Sequence, residues 1–182
     1  MKTSTWQNVR PPRETVMAFS IQAWVDGSCW NKTGQGGWCS IVVAMRDGVS
    51  EEDIARLIEM TSLCHSDIRT DIQEKDSTLR VKVSVLRGYA INTTNNRMEM
   101  RAILESVKAM SKPCVMKIVS DSKFAIGAFT DWHVKANMDL VREWREVSRG
   151  FKVSFEHVNG HSGRPLNEWA DKLADYRNNP NL

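Results

Sequence analysis

The run Val115-Met116-Lys117-Ile118-Val119-Ser120-Asp121-Ser122 decides how this chain is read. It is apolar over the length of a strand and ends in a carboxylate, the pattern of a buried strand near the middle of a sheet. Open α/β sheets place their ligands outside the carboxyl ends of the strands, so Asp121 marks a candidate site. Three other acids, Asp26, Glu99 and Asp171, can be argued onto the same end of the sheet.

Just upstream lies Asn92-Thr93-Thr94-Asn95-Asn96-Arg97-Met98-Glu99. Thr94 or Asn95 supplies an N-cap, and a helix is expected from there to about Met110, stopped by Lys112-Pro113. Ile103, Val107 and Met110 fall on one helical face, and Glu99 shares it. A carboxylate on a core-facing stripe is costly unless a cation receives it; a cap-like glutamate is the plainer reading, and both stay open. Downstream of Asp121, residues Lys123 to Trp132 and Ala136 to Ser148 read as helices, and Lys152 to Val158 alternates as a last strand. Asn159-Gly160-His161-Ser162-Gly163 then presents a histidine on a glycine-flanked loop. Pro165 fits the first position of a closing helix, Leu166 to about Tyr176, with Asp171 inside it and Asn167 one turn earlier on the same face.

The front of the chain supplies the other strands. Phe19, Ile21, Ala23 and Val25 alternate with Ser20, Gln22 and Trp24, and this first strand ends in Asp26-Gly27-Ser28. The turn Gly34-Gln35-Gly36-Gly37 leads to a second strand, Trp38 to Met45, expected to pair antiparallel with the first. Ser50, with Asp53 three residues on, caps a short amphipathic helix over 51–60; residues 61–78 read as polar and irregular. Leu79, Val81, Val83 and Val85 form a third strand whose other face carries Arg80 and Lys82. Leaving the inserted helix aside, the order is βββαβααβα.

Composition fits one domain. The 182 residues are 41% hydrophobic, enough for a single core, with residues 1–16 read as a disordered or loosely docked arm and 17–182 as the domain. No run of ~18 apolar residues exists to span a membrane. Met1 to Gln7 lack the apolar region of a secretory signal, and Cys29, Cys39, Cys64 and Cys114 form no C-x-x-C pair, so reduced thiols and a cytoplasmic protein are expected. Net charge is +3 but uneven: residues 50–78 hold eight acids against three bases, leaving a net of +8 on the rest. A basic body suits a polyanion held on one surface.

If the first and fourth strands are neighbours, Asp26 and Asp121 emerge side by side. Carboxylates within ~4 Å of one another cannot all ionise without a cation between them. Hard oxygen donors suit Mg²⁺ or Mn²⁺ better than Zn²⁺. A pair of such ions ~3.5–4 Å apart activates water and stabilises the leaving oxygen in phosphodiester cleavage, so the constellation predicts a nuclease.

Asp26-Gly27-Ser28, Thr93 to Glu99, Ser120-Asp121-Ser122, Gly160-His161-Ser162-Gly163, Asn167 and Ala170-Asp171-Lys172-Leu173-Ala174 together resemble a type 1 ribonuclease H over roughly residues 19–46 and 87–176. The resemblance implies a ribonuclease H-like α/β fold, with a five-stranded mixed sheet, strands one to three antiparallel, and helices on both faces. It implies endonucleolytic cleavage of the RNA strand of an RNA–DNA hybrid, leaving 5′-phosphate and 3′-hydroxyl ends. By motif, Asp26, Glu99, Asp121 and Asp171 would hold two Mg²⁺ ions, Mn²⁺ being the possible substitute; Asp26 would bridge both, and Glu99 would also stand near the RNA 2′-hydroxyl. His161 would assist proton transfer or product release without binding metal. Cys29, Asn95 and Asn96 resemble readers of the hybrid's minor groove, Thr94 a DNA-phosphate ligand, and Asn167 stands with the substrate contacts. Trp132 resembles an aromatic that packs against DNA sugars, with ordinary core as the competing assignment.

Two stretches depart from the family pattern. Asp131 to Asn137 is too short for the basic helix and loop many bacterial members carry, so weaker, more salt-sensitive binding is expected unless Arg10 and Arg13 or Arg80 and Lys82 substitute. Trp30-Asn31-Lys32-Thr33-Gly34 replaces the usual Gly-Asn-Pro-Gly wording, leaving Lys32 as the candidate phosphate contact. The competing function is an inactive scaffold or partner-docking domain, with residues 50–78 as an interaction element. Retention of all four carboxylates and the histidine favours the enzyme, expected as a monomer. A DNA-cutting resolvase or integrase core fits the Thr94 to Glu99 run poorly.

Overall fold

A computed structural model describes residues 20–45, 49–60, 70–73, 81–130, 135–175 and 177. The arm at 1–16, Cys64, Arg80, Trp132 and Tyr176 lie outside the described residues. The sequence β1 (Ser20–Trp30), β2 (Gln35–Met45), α1 (Glu51–Met60), β3 (Thr70–Gln73), β4 (Val81–Ala90), α2 (Asn95–Lys108), β5 (Val115–Ser120), α3 (Lys123–Thr130), α4 (Met138–Val147), β6 (Lys152–His157), α5 (Pro165–Ala174) builds one sheet in the order β3-β4-β2-β1-β5-β6. The five expected strands are present, and β1, β2 and β4 run antiparallel as anticipated. β5 and β6 join in parallel, which places β1 and β5 side by side.

One expectation is corrected. Residues 61–78 are not irregular throughout: Thr70–Gln73 adds to the edge of β4 as a sixth strand, Ile72 opposite Val83. Four residues with one apolar member are too few to show a period of two, and a short edge strand carrying an acid is a common way to end a sheet without inviting another.

Strand alternation divides the core into two. Trp24, Ile41, Val43 and Val83 point to the side covered by α1 and α5, where Ile54, Ile58, Leu166, Ala170 and Leu173 meet them. Ala23, Val25, Val42, Met116 and Ile118 point to the side covered by α2, α3 and α4. There Trp144 stacks on Phe129 with ring centroids 4.7 Å apart.

The acidic segment is thus partly built into the fold, because Ile54 and Ile58 are wholly buried. Burial of each contributes roughly 1.5–3 kcal/mol. The start of α1 is a reciprocal cap: the Asp53 amide donates to Ser50 Oγ at 3.1 Å, and Ser50 Oγ donates to Asp53 Oδ2 at 2.8 Å. Ser50→Ala is expected to cost about 1 kcal/mol and to lower Tm by ~2–4 °C. Urea denaturation followed by circular dichroism checks it; an unchanged midpoint would show that α1 is held by packing alone.

Candidate active site

β1 and β5 deliver two of the acids. Trp24 pairs with Val119 across the parallel ladder, and continuing that register sets Asp26 beside Asp121. Strand alternation aims both toward α5, since Trp24 and Val119 already face that side. Asp26 is buried at 7% exposure. Its neighbour Gly27 faces α2, whose backbone lies so close that a Cβ on Gly27 would stand 2.1 Å from the Glu99 nitrogen. The missing side chain lets α2 bring Glu99 down onto β1.

Glu99 has no capping role; Thr94 is the N-cap, its side chain accepting from the Arg97 amide at 3.4 Å. The Glu99 carboxylate is instead held by side chains: Asn95 Nδ2 donates to Oε1 at 2.7 Å, and Ser122 Oγ donates to Oε2. Ser122 Oγ also accepts from the Ala125 amide at 3.1 Å and so fastens α3 at the same time. Arg97, inside the same motif, binds Asp139 of α4 instead: Nη1 donates to Oδ1 at 2.9 Å and Nη2 to Oδ2 at 2.5 Å. That guanidinium holds the Asp139 carboxyl down at about 2.

The remaining acid arrives on α5 and the histidine on the β6–α5 connection. His157 Nε2 lies 3.1 Å from the Asp121 carbonyl oxygen, and a Cβ on Gly160 would stand 2.9 Å from Asp121 Oδ2, so this loop passes directly against Asp121. His161 follows in a left-handed conformation (φ 53°), with its side chain 81% exposed. Its Nδ1 is 3.9 Å from both Asp171 Oδ2 and Glu168 Oε2. Pro165 opens α5 at its first turn, as expected.

The electrostatics show four acids acting on one another. Burial pushes the Asp26 carboxyl up to about 8, and the charges of Asp121, Asp171 and Glu99 push the same way; only the Gly27 amide, donating to Oδ1 at 2.7 Å, opposes them. Burial also raises Glu99, with Asp121 adding to the shift and the Ser122 hydrogen bond resisting it. Cys39, opposite Asp26 on β2, is a free thiol pushed up by complete burial, which leaves it unreactive.

Among the described residues no group of three or more His, Cys, Asp or Glu side chains is arranged to hold a metal ion by itself. The donor set still fits a hard divalent cation. Mg²⁺ is usually held by one or two carboxylates and completed by water and substrate phosphate, so no protein-only cage is required. Burial is the larger cause that raises Asp26, and the charges of Asp121, Asp171 and Glu99, which add to it, are what such a cation would neutralise.

The expected substrate contacts divide by exposure. Thr94, Asn95 and Asn96 are exposed at the start of α2, and Lys32 is exposed in the β1–β2 turn. Cys29 is half-buried and its thiol donates to the Thr93 carbonyl at 3.4 Å, tying that turn to the α2 entrance. Asn167 is 2% exposed and its Oδ1 is buried without a partner, which places it beneath the surface. Sequence spacing alone does not mark Ser122, Gly27, His157 or Gly160 as site residues. Of these only Ser122 had a usable signal, as a serine three residues before Ala125 at a helix start.

The sequence profile of the ribonuclease H family matches residues 19–178. The ribonuclease H of Caldicellulosiruptor saccharolyticus is 29% identical over 169 residues, covering 85% of this chain and 92% of that protein. That of Campylobacter jejuni strain 81-176 is 30% identical over 165 residues, covering 85% and 88%. Among solved structures, LC9-RNase H1, described as a type 1 RNase H with the type 2 active-site motif, has the same fold with a TM-score of 0.62. It is 20% identical, and the likeness covers 86% of this chain and 71% of that one. The match runs through every element that carries one of the four acids, and the chain belongs to the ribonuclease H family of metal-dependent nucleases.

Proposed function

We propose that this protein hydrolyses the RNA strand of RNA–DNA hybrids with two Mg²⁺ ions, Mn²⁺ substituting, and leaves 5′-phosphate and 3′-hydroxyl ends. The observation that carries the reading is the placement of Asp26, 7% exposed, on β1 beside the end of β5 that leads to Asp121 and one residue from the close approach of α2 at Glu99; burial and these acids raise its carboxyl. Asp26, Glu99, Asp121 and Asp171 are the residues that would hold the ions. Bound there, divalent cations supply an activated water and stabilise the leaving oxygen of the phosphodiester.

The chain's own groups do the rest. Asn95 and Ser122 fix both oxygens of Glu99, which keeps that carboxylate oriented toward the 2′-hydroxyl distinguishing RNA from DNA. Thr94 and the exposed first turn of α2 offer amide and hydroxyl donors to a DNA phosphate. Asn96, exposed in the first turn of α2, and Cys29, bonded to Thr93 just before it, serve as minor-groove contacts, and Lys32 reaches phosphate from the turn. His161, solvent-facing and near Asp171, hands a proton to or from water as product leaves.

Cleavage of a strand-labelled hybrid with Mg²⁺, beside double-stranded DNA and double-stranded RNA, tests the reading. RNA-strand cutting is expected in the wild type, with a loss of roughly 10³-fold or more in Asp121→Asn, or ~4 kcal/mol of barrier. Hybrid binding without cutting under both Mg²⁺ and Mn²⁺ would instead establish a binding scaffold.

A further inference from the structure

We propose that α1, the helix of the acidic insert, is a positioning element for the active site, and that the Glu51–Arg164 ion pair is the contact through which it acts. The inference rests on the reading that His161 and Asp171 take part in cleavage.

Arg164 stands between the two groups in question. It follows His161 by three residues, directly after the loop, and is the N-cap residue of α5, the helix that carries Asp171. Its backbone cap has no side-chain hydrogen bond, so the start of α5 is not fastened by a local Ser, Thr or Asp. The guanidinium reaches out instead: Nη2 donates to Glu51 Oε1 on α1, and Nη1 donates to Glu156 Oε1 on β6. Glu156 in turn accepts from Lys117 Nζ of β5 at 2.8 Å. One chain of charges therefore runs from the insert through the end of the histidine loop to the strand that delivers Asp121.

The insert end of this chain is the least replaceable. Glu51 Oε2 is buried without a partner, so Arg164 provides the charge compensation for a carboxylate whose side chain is only 21% exposed. Glu51 is also fixed from behind, because Ile54 and Ile58 lock α1 against Leu166, Ala170 and Leu173 of α5. A rigid helix thus presents a carboxylate at one place, and Arg164 must go there. Between β6 and that anchor the connection includes His161 (φ 53°) and Gly163 (φ 78°), and a further tie to α5 is the Gly163 amide donating to Glu168 Oε1 at 3.2 Å. The glutamate sets where the loop ends; it touches no reacting atom.

Steady-state cleavage and amide hydrogen exchange on the full-length protein test this with Glu51→Gln, Arg164→Gln and the double variant. For Glu51→Gln, kcat is expected to fall roughly five- to twentyfold, in line with misplacement away from the chemistry. KM for the hybrid and Tm should hardly move, and amides of residues 159–171 should exchange faster while those of β1 and α2 do not. The double variant should fall no further than Arg164→Gln, since both changes remove one contact. Unchanged kcat and exchange in Glu51→Gln would overturn the proposal, as would losses in kcat, KM and Tm together, which mean general destabilisation. If the wild type cuts no hybrid, the assigned function fails; the exchange comparison then decides alone whether α1 positions the loop.

Discussion

Asp26→Asn is expected to abolish cleavage and, in the same molecule, to raise the stability of the metal-free protein. Loss of a carboxylate proposed to hold metal should lower kcat by roughly 10³-fold or more, equivalent to ~4 kcal/mol. The stability gain has a separate origin. In the folded protein the Asp26 carboxyl is raised from 3.8 to about 8 by burial and by Asp121, Asp171 and Glu99. An acid with a raised folded value binds more protons folded than unfolded, so stability is highest below the unfolded value and declines as pH climbs from about 4 to about 8. Asparagine keeps the shape and removes that decline. At about pH 8 in chelator, a gain on the order of 1–3 kcal/mol is expected, or roughly 2–4 °C of Tm per kcal/mol. Saturating Mg²⁺ should stabilise the wild type more than the variant and shrink the gap. Scanning calorimetry with and without Mg²⁺ reads all of this, and a variant less stable than wild type in chelator would refute the picture of carboxylates held together against their repulsion.

What the sequence makes legible follows from the range of the interactions. The strand carrying Asp121 is readable because an interior strand needs a mostly apolar run, interrupted here only by Lys117, and Glu99 because a helix repeats its stripe every three to four residues. Ser50 and Asp53 are readable because a cap is completed within one turn. The unread features are tertiary. Ser122 meets Glu99 across 23 residues, and Arg164 meets Glu51 across 113, distances at which no local pattern exists. Asn167 shows the limit of spacing itself: four residues before Asp171 it shares the stripe, yet it is 2% exposed while the Asp171 side chain is 46% exposed. A face read from periodicity gives direction without depth.

Gly27→Ala is the change expected to damage the fold most. The conformation of Gly27 is ordinary, so the reason for glycine lies in what faces it. An added Cβ would lie 2.1 Å from the Glu99 nitrogen, 2.3 Å from the Met98 carbonyl carbon and 2.8 Å from the Glu99 Cα. All three atoms are backbone of α2, so no rotamer change relieves the clash, and the helix itself has to lift from β1. Lifting it loosens the contacts of Met100, Ile103 and Val107 with Ala23 and Val25. The cost expected for such overpacking against main chain is about 3–5 kcal/mol, a drop of roughly 10 °C or more in Tm. Glu99 moves with the helix, so activity per folded molecule should fall as well. Gly127→Ala supplies the contrast, because nothing lies within 4 Å of a Cβ built there in α3. That variant should gain roughly 0.5–1 kcal/mol from the lower entropy of its unfolded chain. Thermal unfolding of the two side by side separates close approach from glycine content: the same substitution on two helices' contacts should move Tm in opposite directions. Equal, small effects would mean that α2 stands farther from β1 than the Gly27 geometry requires, and Glu99 could not then reach the carboxylates it is grouped with.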